Sequence, residues 1–273
     1  MVNFMKINYF KALCGLICVG ITYSAQAQQS NQSTQSVIKT SDTWSYSVSP
    51  YIWLPGISSG IDLPGPSVSS GSISGSDVLK HVSGAAMITG EIRKGKWGVT
   101  GDLVYAELSD KRADVFEGLD RINEHTSASI RLRAITAAAT YRVYETDRTQ
   151  VETLAGLRHL NADVSFTVGF NRHYLSRLNG TYTGNVHAWD PVVGVKGRHA
   201  LFDGSWYIPF YLDVGGQSGR TDTTYQAMLG LGKTFSWGET YLGYKTLYYD
   251  MKPGALLQKT KLSGFTLGVG FNF

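Results

Sequence analysis

The chain contains only two cysteines in 273 residues, Cys14 and Cys18, and both fall within the first 27. Past residue 27 there is therefore no disulfide, no thiol nucleophile and no thiolate metal site. That region also lacks any apolar run of 18 residues, so it holds no membrane-spanning helix. Neither sign of charge dominates: 25 Lys and Arg stand against 21 Asp and Glu. Such a balance leaves no footprint for nucleic acid. Histidine is scarce, with six residues, and none lies in a nucleophile elbow or an HExxH spacing. No cofactor or metal is implied, and catalysis is the weaker expectation.

The N-terminus is distinctive. Lys6 and Lys11 precede the apolar run ALCGLICVGITY, and Ala25-Gln26-Ala27 is a small-x-small cleavage site. The run is too short for a spanning helix, which needs about 20 residues, and residues 1–27 read as a signal peptide with Gln28 as the mature start. Gly15-Leu16-Ile17 ahead of Cys18 lacks the small residue that a lipoprotein signal places there. Cleavage would remove Lys6 and Lys11 and lower the net charge from +4 to +2. Residues 28–42, QQSNQSTQSVIKTSD, are polar and read as a disordered lead.

The rest is rich in what a barrel uses, with 31 Gly, 16 Tyr and 6 Trp in the whole chain. In GFTLGVGFNF at the C-terminus, Phe265, Leu267, Val269, Phe271 and Phe273 share one side of an extended strand. Small or polar residues share the other. An edge strand this apolar invites aggregation in water, so something apolar must lie outside it. Ten segments alternate in this way: 44–54, 82–94, 97–109, 129–144, 150–161, 186–199, 205–215, 222–236, 239–250 and 262–273. Connections after even strands are short, and those after odd strands are mostly longer (55–81, 110–128, 162–185, 216–221 and 251–261). Short periplasmic turns and longer outer loops mark a bacterial outer-membrane barrel. The expected fold is all-β: a closed, up-and-down, antiparallel transmembrane barrel over 43–273. Ten strands are counted, with eight or twelve as alternatives because 162–185 could hide a hairpin.

Charge provides a check on phase, because a lipid-facing Lys or Arg near mid-bilayer costs about 2–4 kcal/mol. Glu91, Arg93, Asp102, Glu152, Arg158, Asp190, Lys196, Arg198, Asp213 and Lys245 all oppose the apolar face of their strands. They are expected in the lumen, as a salt-bridged filling or, less favoured, lining a narrow polar conduit. Lys233 is off-phase, near a strand end. Pro209 cannot donate to a ladder. Trp97, Tyr141, Trp206, Phe235 and Phe273 fall at one set of strand ends. Tyr51, Trp53, Tyr105, Tyr225 and Tyr248 fall nearer the other, and together they outline two aromatic girdles.

Four stretches, WSYSVSPYIWLPGISSG, DVLKHVSGAAMITGEIRKGKWGVTGDLVYAEL, WDPVVGVKGRHAL and FYLDVGGQSGRTDTTYQAMLGLGKTF, resemble a broad group of largely uncharacterised proteobacterial outer-membrane β-barrel proteins. The resemblance implies barrel fold and outer-membrane location and supplies no catalytic residue. The chain departs from it in GLRH (156–159) and GYKT (243–246), where relatives tend to carry an aromatic.

These features favour a structural or narrow-pore outer-membrane protein. The alternative is an outer-membrane hydrolase of lipid or peptide, for which His81, His125, His159, His173, His187 and His199 would supply the base. Expected partners are outer-membrane lipid and lipopolysaccharide, whose phosphates suit Arg112, Arg121, Arg131, Arg133, Arg172 and Arg177 in or beside the loops. The barrel-assembly machinery is the other, since Phe273 behind Phe265, Leu267, Val269 and Phe271 resembles its recognition signal. Oligomeric state is left open.

Overall fold

The computed structural model describes residues 42–61, 71–110, 125–169, 180–202, 204–217, 219–252 and 257–273. The expected signal peptide 1–27, nearly all of the expected 28–42 lead, His173, and Arg112, Arg121, Arg172 and Arg177 lie outside them. In chain order the elements are β1 Trp44–Ile61, β2 Gly71–Ile73, α1 Gly75–His81, β3 Val82–Lys94, β4 Trp97–Asp110 and β5 His125–Glu145. Then follow β6 Thr149–Gly169, β7 Gly180–Leu201, β8 Trp206–Gly216, β9 Thr221–Phe235, β10 Gly238–Met251 and β11 Leu257–Asn272.

Each long strand pairs antiparallel with its sequence neighbours, and β11 pairs back onto β1. The result is a closed barrel of ten strands, with β2 a short addition beside β1. Around the ring the pairings accumulate a stagger of roughly twelve residues, which tilts the strands about 40° from the axis. Turns 95–96, 146–148, 202–205 and 236–237 lie at one rim, here the short-turn rim. Residues 162–169 and 180–185 prolong β6 and β7 and add no hairpin of their own. The twelve-strand alternative falls with that. Strands β5, β6 and β7 run 21, 21 and 22 residues. That is twice the 9–11 a tilted crossing needs, so their far halves rise above the rest of the long-loop rim.

The period of two sorts side chains between lipid and lumen as the charges implied. Outward positions carry Ile52, Ile88, Val193, Leu242 and Phe265, all exposed. On β4 the outward band runs from Trp97 past Val99 and Leu103 to Tyr105, about the span of one crossing. At the short-turn rim Trp97 packs on Tyr141 with centroids 4.7 Å apart, and Phe235 stacks on Trp237 at 5.4 Å. The off-phase Lys233 does point outward, over Trp206 at 5.1 Å and Phe235 at 5.5 Å. At this level its ammonium can reach water past the rings. At the other border Tyr225 stacks on Tyr248 at 5.0 Å.

Two expectations need correction. Tyr51 and Trp53 do not belong to the outer girdle: they point into the lumen and are 8% and 1% exposed. β1 continues to Ile61, so both stand part-way along the strand, and parity gives the lipid face to Ile52. Residues 75–81 are helical and not plain loop. Ser74 caps that helix, its Oγ accepting from the Asp77 N–H at 3.2 Å, and the S-x-x-D spacing was the available signal. Pro209 is accommodated where the β8–β9 register skips from Tyr207↔Gly232 to Phe210↔Leu229.

Glycines in β11 serve the crowded inner wall. A Cβ at Gly268 would stand 2.3 Å from the Tyr241 ring, which lies flat across that position. At Gly264 it would overlap the Leu54 carbonyl on the closing strand.

The outward face responds differently to an added charge at different heights. Leu242→Arg, mid-band on β10, is expected to lower unfolding free energy by about 2–4 kcal/mol, and Thr183→Arg, on the projecting part of β7, by at most about 1. Urea titration of the vesicle-reconstituted barrel, followed by tryptophan emission, measures both.

Candidate functional site: a lumen in three tiers

The candidate lumen residues all face inward, and they separate into tiers along the axis. The tier nearest the short turns is a mesh of four acids and four bases. Arg93 bonds Glu91 and Glu152, each at 2.5 Å. Lys196 bonds Glu91 and lies 3.7 Å from Glu152. Arg142 meets Glu152 at 3.3 Å and Glu145 at 3.0 Å, while Arg198 reaches Glu239 at 2.9 Å and caps the Tyr207 ring at 3.8 Å. Arg142, Glu145 and Glu239 were absent from the expected set. Arg142 follows ITAAATY, where small residues mark neither face, and Glu239 is at the start of its strand.

The middle tier is drier. Arg158 is wholly buried and bonds Asp213; its Nε donates to Thr136 Oγ1 at 3.1 Å and its Nη1 to Thr224 Oγ1 at 3.4 Å. Asp213 also accepts from the Tyr211 hydroxyl at 2.5 Å and the Gln226 N–H at 3.1 Å. Asp190 is paired in register with Arg158 and is equally buried. Across the lumen the Lys245 ammonium sits 2.8 Å from Asp102 and 2.9 Å from the Tyr51 hydroxyl, which itself donates to Asp102 at 2.7 Å. Trp53 closes this unit: its ring lies 5.2 Å from the ammonium and its indole N–H donates to the Lys245 carbonyl at 3.2 Å. Charges so far from water are retained only when paired and hydrogen-bonded, as Arg158, Asp213, Lys245 and Asp102 are.

Above them the lumen is apolar. Val104, Leu160, Val186, Leu247, Tyr249 and Leu262 form its buried centre. Val78 of α1 caps this layer, packing against Leu108 with Ile57, Ala106 and Ile130 around it.

The histidines do not converge on any of this. His159 lies 4.4 Å from Trp189 and 6.4 Å from His187 between ring centroids, on the outward face. His199 Nδ1 bonds Thr149 Oγ1 at 2.8 Å and His81 Nδ1 bonds the Asp77 carbonyl at 2.8 Å. The side chain of His125 lies outside the described residues. Outside the barrel, just above the lipid-facing band, Arg133 lies 5.9 Å from the Tyr105 ring and Arg131 bonds Glu107 at 3.1 Å. The Tyr105 hydroxyl and then Arg131 hold the Glu107 carboxyl below its usual range.

No protein-family model matches the chain, and no curated protein matches it in sequence. Solved structures do. The outer-membrane protease OmpT of Escherichia coli aligns at 10% identity and a TM-score of 0.49, over 88% of this chain and 100% of that one. OprG, an outer membrane protein of Pseudomonas aeruginosa, aligns at 12% identity and 0.33, over 85% and 97%. Ail, the attachment invasion locus protein of Yersinia pestis, aligns at 11% and 0.36, over 84% and 98%. No residue role carries over at such identities. The assignment as a transmembrane β-barrel rests on the closed ring and its lipid-facing band.

Truncating one partner of the dry pair exposes its cost. Arg158→Met leaves Asp213 buried without its cation and is expected to lower stability by about 3–5 kcal/mol. Replacing both, as Arg158→Met with Asp213→Leu, is expected to recover much of that loss. A double-mutant cycle by urea unfolding measures the coupling.

Proposed function

We propose that the chain is an outer-membrane barrel whose lumen is a structural core and not a conduit. The observation that carries this is the stack of tiers: wholly buried Arg158, Asp190 and Asp213 beneath a continuous apolar layer. An ion moving along the axis would have to break paired charges and then cross a dry layer, and a ten-stranded ring is little wider than one that side chains just fill. Such a protein acts through its surfaces. The short-turn rim faces the periplasm, and the tall β5–β7 wall faces the exterior.

The remaining assignments belong to the same reading. Residues 1–27 direct export and are removed. Lipopolysaccharide contacts the barrel where Arg131 and Arg133 stand above the lipid-facing band, since guanidinium suits phosphate bidentately. The barrel-assembly machinery reads the last strand through Phe265, Leu267, Val269, Phe271 and Phe273, which share its exposed outward face. A hydrolase would need a histidine held against a nucleophile in a recess that can take a substrate, whereas the His199 contact with the Thr149 hydroxyl is exposed at the short-turn rim.

Planar-bilayer recording separates core from conduit. The purified protein is expected to give no steady ohmic conductance, and Leu247→Gly with Leu160→Gly, which thin the apolar tier, is expected to raise ion leak. Steady conductance in the unaltered protein that shifts selectivity on Lys245→Glu would establish the narrow-pore reading instead.

The assembly assignment has its own check. Phe273→Asp is expected to lower the heat-modifiable, folded fraction in outer-membrane extracts and to raise periplasmic degradation, with export intact. Normal levels and an unchanged heat shift would remove it.

A further inference from the structure

The barrel wall has a break. β1 pairs with β3 only from Trp44↔Lys94 to Pro50↔Ile88. Beyond that point both strands keep their other neighbours: β1 stays on β11 as far as Ile61, and β3 stays on β4 as far as Val82. Residues 51–56 and 82–87 thus face one another without a ladder. Higher up, β1 takes β2 as partner from Ile57↔Ile73 to Ser59↔Gly71. The first residue of α1, Gly75, sits so close to β1 that a Cβ there would lie 3.1 Å from the Leu54 carbonyl. The break is therefore bounded, by Pro50 and Ile88 below and by β2 and α1 above. It is a window and not a frayed end.

Among the described residues one hydrogen bond spans it: the Trp53 backbone N–H donates to Met87 Sδ at 3.2 Å. A thioether is a weak acceptor standing where a ladder would offer a carbonyl. Since the Trp53 N–H points across the window, so do the N–H of Tyr51 and the carbonyl of Pro55, by the two-residue period. Pro55 has no N–H to lose. On the β3 side, Ala85 has inward parity yet is exposed, whereas Val104 on neighbouring β4 is buried; Ser83 is the extra residue where the β3–β4 register shifts between Val82 and Gly84. Outside the frame are Ile52, Ala86 and Ile88, and Ile88 pairs with Leu103 and Ala86 with Tyr105, where the lipid-facing band ends. Behind it lies the apolar tier, which Met87 borders.

We propose that this window is a lateral port, through which an acyl chain of a surrounding membrane lipid enters the apolar tier past Met87. Apart from backbone and Ser83, whose Oγ donates to the Glu107 carbonyl at 3.1 Å, what the window exposes is apolar, and backbone groups at the border of the lipid-facing band need partners that the missing ladder withholds. The ester carbonyls at the head of the chain can accept from those N–H groups. The axial routes are unsuited to such a ligand: α1 and β2 stand above, and the charged tiers stand below. Met87 is the side chain fitted to yield, because it is unbranched and adapts to either packing. The port is separate from the sealed-core reading, since a chain lodged in the upper tier leaves the paired charges beneath it in place.

Reconstitution of the full chain in vesicles containing a phosphatidylcholine with a diazirine near the end of one acyl chain tests this. After irradiation, peptide mass spectrometry locates the modified residues. Label is expected on inward Met87 and Trp53 as well as on outward Ile52 and Ile88. Thr136 and Val192, inward but behind continuous ladders, are expected to stay unlabelled. Label confined to outward residues, or equal on Met87 and Thr136, overturns the port whatever the conductance shows. Extending the Pro50↔Ile88 register sets Ile52 opposite Ala86, so an oxidised Ile52→Cys/Ala86→Cys variant closes the window. That closure is expected to cut Met87 labelling several-fold while sparing Ile88, and undiminished Met87 labelling in the oxidised form overturns the proposal equally.

Discussion

Phe273 and Tyr46 exchange backbone hydrogen bonds of 2.8 and 3.1 Å, and with them the last strand joins the first. The rest of the molecule depends on this closure. In hydrocarbon an unpaired N–H or C=O costs several kcal/mol, so a sheet can cross a bilayer only as a ring without edges. Closure in turn demands stagger and tilt, and it leaves a narrow interior that side chains must fill. Every later feature, from the inward charges to the flat rings beside glycine, answers to that limited space.

Filling is achieved with unlike materials at different heights. Near the short turns, partly wet arginines and carboxylates form a mesh in which Glu152 meets Arg93, Arg142 and Lys196 at once. A multiply paired group tolerates the loss of any one contact better than an isolated pair. In the middle, Arg158 and Lys245 each sit in a smaller, drier unit whose hydroxyls and amides take up the remaining hydrogen-bond capacity. These two cations find their carboxylates in Asp213 and Asp102, each on another strand of the ring.

The wall itself combines near-complete pairing with one extended break. Most of the ring is an antiparallel ladder, while β1 carries Pro55, whose missing donor lies on the β3 side, in the stretch where the two strands part. Proline removes a donor, and it is tolerated where a strand has lost or is about to lose a neighbour. The helix that follows the first long connection begins where the strands part, and it also supplies Val78 to cap the apolar tier. One local irregularity so produces both the lid of the lumen and the opening in its side.

Much of this was legible in the residues alone. Alternation with period two, the even–odd rhythm of connection lengths and the common phase of ten charges pointed to ten strands, with eight or twelve left open, and to their order and lipid-facing side, because each is a local consequence of the pleat. GFTLGVGFNF announced its lipid face and its pairing with the first strand for the same reason. What the sequence could not show is distance across the lumen. That Arg158 on β6 would meet Asp213 on β8, or Lys245 on β10 meet Asp102 on β4, depends on stagger summed around the whole ring. The inward placement of Tyr51 and Trp53 needed the true length of β1, and the faces of Arg142 and Glu239 were hidden by small neighbours and a strand end. The break between β1 and β3 is likewise a tertiary event: both segments alternate as strands should, and only their separation in space reveals that they do not pair.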